Sequence, residues 1–151
     1  MSMKINTRVF GEIEVDEEKI IQFPDGIVGF ADLKNFVLIH DSEVEGGIRW
    51  LQSIEEPGFA MPVIDPLIVK SDYNPMVEDE LLKRIGSFAP EDLLVLTTIS
   101  VPKDVTKMTV NLMAPFVINT ALCKAIQVIL EDYEVKFPVY EILQNNKKAG
   151  E

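Results

Sequence analysis

The chain has 151 residues, the span of one domain, and its 47% hydrophobic content with 9 Pro and 8 Gly excludes wholesale disorder. Its 14 basic residues against 25 acidic ones leave a net charge of −11. That balance opposes nucleic acid as a direct ligand and anionic membrane surfaces, and it favours a basic protein as partner.

Turn signals recur at short intervals: Pro24-Asp25-Gly26, Glu45-Gly46-Gly47, Glu56-Pro57-Gly58, Asn74-Pro75, Pro102-Lys103-Asp104 and Lys136-Phe137-Pro138. The β-rich runs between them predict a mainly β chain, a small single-domain barrel or sandwich of antiparallel strands. Ile5, Thr7 and Val9, then Ile13 and Val15, alternate with polar residues including Glu12 and Glu14, which is the period of half-buried strands with one wet face. Further runs follow at 20–23, 36–40, 48–54, 60–64, 93–99, 108–113 and 125–130. Several are apolar throughout, so both of their faces are expected to be covered. Pro62 marks its run as an edge or bulged strand.

One helix is predicted, over about 75–86. Asn74 suits its N-cap, Pro75 its first position, Glu78, Asp79 and Glu80 its positive end, Lys83 and Arg84 its negative end, and Gly86 its stop. Val77, Leu81, Leu82 and Ile85 form its apolar stripe. In 120–130, Ala121, Leu122 and Ala125 favour helix, whereas Val128-Ile129-Leu130 favour strand, and strand is the reading taken. Residues 4–143 are expected to form the domain and 144–151 a polar, frayed tail.

Chemistry-bearing groups are sparse. The lone cysteine, Cys123, excludes an internal disulfide and reads as a small buried residue, and one His with one Cys cannot build a Cys/His metal site. The acidic runs Asp16-Glu17-Glu18 and Glu78-Asp79-Glu80 lack the spacing and turn glycine of a calcium loop. Gly26-Ile27-Val28-Gly29 lacks the Lys and Ser/Thr of a phosphate loop. His40 beside Asp41 could serve as a base, but no nucleophile motif accompanies it. No enzyme, metal or cofactor is expected. A small-ligand-binding barrel or a hydrolase using His40 and Asp41 is the alternative. With no leader-like segment in 1–10 and no apolar run of membrane-spanning length, a soluble cytoplasmic protein is expected.

Three segments stand out: the turn-rich loop from Gln22 to Phe30, the Arg49-Trp50-Leu51-Gln52-Ser53 run with the chain's one Trp, and the proline-interrupted stretch from Met61 to Tyr73. Trp50 reads as a core residue with a satisfied N–H. The two prolines of the third stretch, Pro62 and Pro66, remove backbone donors and suggest an irregular edge for a partner.

Phe23-Pro24-Asp25-Gly26-Ile27-Val28-Gly29-Phe30, Trp50-Leu51-Gln52-Ser53, the 59–66 run ending Ile64-Asp65-Pro66, and Asn111-Leu112-Met113-Ala114-Pro115-Phe116-Val117-Ile118-Asn119 come in an order and spacing similar to one family. From about Thr7 to Tyr140 the chain resembles the bacterial flagellar assembly factor FliW family. The resemblance implies a small β-barrel-like, non-enzymatic protein with two cytoplasmic protein partners. One is newly made flagellin. The other is the RNA-binding translational repressor CsrA, which the free protein keeps from repressing its targets, flagellin mRNA among them. As flagellin is exported, the released protein holds CsrA and flagellin synthesis resumes.

Two such partners require an apolar groove and an acidic face. Groove candidates are Phe30, Ile64, Pro66, Leu67, Ile68 and Tyr73. Acid-face candidates are Glu12, Glu14, Asp16, Glu17, Glu18, Glu43, Glu45, Glu55 and Glu56. A monomer is expected when the protein is free, with no nucleic acid or membrane bound directly.

Overall fold

The computed structural model describes residues 2–8, 10–40, 48–75 and 77–149, with side chains through 144. Strands β1 (Ser2–Thr7) and β2 (Gly11–Asp16) make a separate hairpin. Then come β3 (Ile21–Gln22), β4 (Asn35–His40), β5 (Arg49–Ser53), β6 (Ala60–Ile64), α1 (Pro66–Val69) and α2 (Asp79–Leu82). The chain continues with β7 (Leu93–Ser100), β8 (Thr109–Val110), β9 (Phe116–Asn119), β10 (Lys124–Gln127), β11 (Phe137–Pro138) and α3 (Tyr140–Ala149).

Neighbouring strands run β7–β6–β5–β4–β3–β10–β9, and β9 pairs back onto β7, closing a seven-stranded barrel. An odd ring cannot alternate strand direction all the way round, so at least one contact must be parallel. That contact is β3 with β10, a correction to the all-antiparallel expectation. β8 and β11 extend from the far end of β7.

The barrel interior is filled. Phe23 stacks edge-on against both Phe36 and Phe116 at 5.4 Å, and Leu51, Val63, Leu96, Ile118 and Ala125 complete the cluster. A second cluster lies outside the barrel wall, with Ile64, Tyr73, Ile85, Ile99, Val117, Ile126 and Val139 among its members. Consecutive residues therefore split between the clusters: Val63 inward and Ile64 outward, Ala125 inward and Ile126 outward. This is why the runs are apolar at every position, and the expectation of two covered faces holds. Pro62 lies opposite Trp50 on β5, while pairing of β6 with β7 begins only at Val63, so the proline sits where its strand has a single partner.

The helices differ from expectation. The segment expected over 75–86 is helical only from Asp79 to Leu82, followed by a 3-10 turn Lys83–Ile85, with Glu78 at the N-cap position. The Asn74 N–H is donated to the Tyr133 hydroxyl at 3.2 Å, which ties the lead-in to another segment. Gly86 does end the segment, at φ +81°. There is also more than one helix. α1 is a single turn with Pro66 first and Asp65 as its cap, the carboxylate accepting from Leu67 N–H at 2.9 Å. Of the tail expected to fray over 144–151, the part as far as Ala149 continues α3, and 150–151 lie outside the described residues. Ile142 and Leu143 pack against the outer cluster, which anchors the first turn of α3.

In 120–130 the strand is Lys124–Gln127, preceded by a turn in which Cys123 takes φ +54°. Cys123 is half-buried rather than buried, because that turn lifts it off the barrel wall, with Sγ 3.4 Å from the Glu18 carbonyl.

Candidate functional site

On the β1–β2 hairpin, the register pairs Ile5 with Ile13 and Met3 with Val15 on one face, and Lys4 with Glu14 and Asn6 with Glu12 on the other. Glu12, Glu14 and Asp16 are exposed, as are Glu17 and Glu18 in the 3-10 turn that follows. The period-two pattern thus becomes an acidic surface strip. Among the described residues no cluster of His, Cys, Asp or Glu could hold a metal ion. Glu43, Glu45 and Asp41 lie outside the described residues. Glu56 is exposed, and Glu55 is exposed but engaged by the Lys34 and Asn35 backbone. His40 ends β4, exposed, opposite Arg49.

The β3–β4 connection carries the second feature. Gly26 and Gly29 adopt φ +70° and +85°, turning the chain sharply, and Phe30 N–H returns to the Ile27 carbonyl at 2.9 Å. The loop is pinned from two sides: the Arg84 guanidinium meets the Asp25 carboxylate at 2.5 Å, and Val28 N–H donates to Gln127 Oε1 at 2.7 Å. Between loop, α2 and β10 lies a cleft of about 340 Å³ lined by Asp25, Ile27, Val28, Leu81, Arg84 and Gln127. Val28 is 66% exposed and Phe30 46%, the Phe30 ring resting on Phe59 at 4.6 Å. Val28 was not among the sequence candidates; its place between two turn-forming glycines was the available signal.

The six groove candidates divide. Phe30, Leu67 and Ile68 are exposed. Ile64, Pro66 and Tyr73 are buried, so this conformation removes them from any partner surface. Ile64 faces the outer cluster, Pro66 is the inner side of α1, and Tyr73 donates its hydroxyl to the Leu112 carbonyl at 2.8 Å beside the Tyr133 ring. Burial, with Tyr133 next to it, raises the Tyr73 pKa far above the usual phenol range. Trp50 also departs from its reading: it is half-buried, its ring meets Phe10 edge-on at 5.8 Å, and its buried N–H has no partner among the described residues.

The family model described as FliW protein matches residues 4–139. The chain belongs to the FliW family. The flagellar assembly factor FliW of Lachnoclostridium phytofermentans is 49% identical over 97% of this chain and 96% of its own length. The FliW of Lachnospira eligens is 46% identical over 96% of this chain and 99% of its own. A crystal structure of the flagellar assembly factor FliW superposes with a TM-score of 0.80 at 31% identity, covering 90% of this chain and 94% of that one. The mainly β barrel expected from the sequence is therefore the FliW fold. Among the described residues, no helix is long and apolar enough to cross a membrane.

Proposed function

We propose that this protein is a cytoplasmic regulator that binds flagellin and, when free of it, binds and antagonises the translational repressor CsrA, relieving repression of flagellin synthesis. Its membership of the FliW family supports a role in flagellar assembly. The observation that carries the two-partner reading is the presence of two chemically unlike sets of exposed residues. An acidic strip runs along the hairpin, suited to a basic RNA-binding protein, and exposed apolar residues on the β3–β4 loop and α1 suit an amphipathic segment of flagellin. The filled barrel interior disfavours the small-ligand alternative.

The experiment is co-purification of the protein with flagellin and with CsrA, separately and together, using wild type, Leu67→Asp and Phe30→Asp. Leu67 and Phe30 are exposed, so both variants should keep a melting temperature within a few degrees of wild type while losing flagellin and retaining CsrA. Retention of flagellin by both variants would place its site elsewhere.

A further inference from the structure

The β1–β2 hairpin is built as a unit distinct from the barrel. Its ladder runs from Ser2 opposite Asp16 to Thr7 opposite Gly11, and among the described residues it joins no barrel strand. Its turn closes on itself: the Thr7 hydroxyl donates to the Gly11 carbonyl at 2.9 Å and accepts from Phe10 N–H at 2.8 Å. Among the described residues, the hairpin supplies none to either core cluster. Arg8 N–H donates to the Pro57 carbonyl at 3.2 Å, the Phe10 ring lies edge-on to Trp50, and Val15 is buried. The chain then passes into β3 through the 3-10 turn Glu17–Lys19.

The seat of the hairpin carries two unmet polar atoms. Trp50 Nε1 and Gln52 Oε1 are buried without a hydrogen-bond partner among the described residues. Gln52 is wholly buried, and its Nε2 is committed to the carbonyls of Ser53, Pro57 and Phe59 at 3.0–3.1 Å. Residues two apart on a strand share a face, and Leu51 between them points into the barrel. The orphaned donor and acceptor therefore lie on the outer face of β5, where Phe10 and the Arg8–Pro57 bond hold the hairpin down. A buried polar group without a partner penalises the state that buries it. Lifting the hairpin would let water reach that face, against the cost of exposing Val15 and the half-buried Met3, Ile5 and Ile13.

We propose that the β1–β2 hairpin is a hinged flap that opens from the outer face of β5 about the Glu17–Lys19 turn in the native protein. It swings as a rigid pair of strands, carrying Glu12, Glu14 and Asp16 with it and baring Trp50. This device does not depend on which partners the protein binds.

Amide hydrogen exchange of the full chain tests it. The Arg8 amide bonds to the barrel alone, so flap opening should release it roughly tenfold or more faster than the slowest hairpin-ladder and barrel amides. Trp50 is the chain's single Trp, so acrylamide quenching of its emission reports the same motion. Phe10→Ala should raise both Arg8 exchange and Trp50 quenching several-fold, with the slowest barrel amides unchanged. Wild-type Arg8 protection equal to that of the slowest barrel amides would overturn the proposal, a comparison that stands even for a variant that fails to fold. So would a variant that loosens hairpin, barrel and Trp50 together.

Discussion

Both carboxylate oxygens of Glu55 accept the Asn35 backbone N–H, at 3.0 and 3.2 Å, so a side chain from the end of one hairpin caps the start of β4. Lys34 N–H at 3.2 Å and Asn35 Nδ2 at 2.9 Å add to the same carboxylate. Partial burial pushes this carboxyl up, but the backbone donors of Asn35 and Lys34 outweigh it and hold its pKa below the ordinary 4.5. A folded-state pKa below the unfolded one stabilises the fold above the unfolded value, and that contribution fades as pH falls through the lowered one. Glu55→Gln should therefore cost up to about 1 kcal/mol at pH 7, given its solvent exposure. Urea unfolding should show the gap to wild type narrowing below pH 4.5; a gap that widens on acidification would contradict the assignment.

Asn119 is fully buried at the end of β9 and bonds on both sides of its amide. Nδ2 donates to the Ile85 and Ser87 carbonyls at 2.8 and 3.1 Å, while Oδ1 accepts from Ala121 and Leu122 N–H at 3.0 and 3.3 Å. It thereby joins the segment after α2 to the β9–β10 turn. Asn119→Ala strands these groups and should cost about 2–4 kcal/mol in urea unfolding. Asn119→Asp should also destabilise, since it sets a carboxylate oxygen against the Ile85 carbonyl. A near-neutral aspartate variant would show that the turn rearranges.

The two glycines of the β3–β4 loop should respond differently to alanine. At Gly26 an added Cβ would lie 2.5 Å from the Ala31 carbonyl oxygen, a backbone atom, on top of φ +70°. At Gly29 it would meet nothing within 4 Å, leaving only the cost of φ +85°. Gly29→Ala is expected to lose about 1–2 kcal/mol and Gly26→Ala about 3 kcal/mol or more. Equal melting temperatures for the two variants would refute the packing argument.

If the hairpin strip meets CsrA, association should be fastest at low salt, because exposed charges are screened within ~8 Å at physiological ionic strength. The triple variant Glu14→Gln, Glu17→Gln, Glu18→Gln should bind CsrA more slowly and with a shallower salt dependence, while flagellin binding changes less. A flat wild-type dependence would mean an apolar contact. A steep dependence kept by the variant would move the acidic contact to another face.

Much of the architecture was legible in the sequence because it depends on short-range pattern. The alternation from Ile5 to Val15 specifies which hairpin face is wet, and the charges of Glu12 and Glu14 follow from it. Runs such as 60–64, apolar at every step, announced strands covered on both sides. The same property concealed the site. Once both faces of β6 are covered, nothing local distinguishes Ile64, which packs in the outer cluster, from Leu67, which is 53% exposed three residues later. Asn74-Pro75 had the chemistry of a helix start, yet the helix begins only at Asp79, with Glu78 at its N-cap position. Likewise the Trp50 ring meets Phe10 of the hairpin and its N–H has no partner among the described residues, and the parallel β3–β10 contact arises only when seven strands close into a ring. Local propensity sets what each segment prefers to be; burial and hydrogen-bond partnership are settled by contacts between residues far apart in the chain, and these exist only in the assembled barrel.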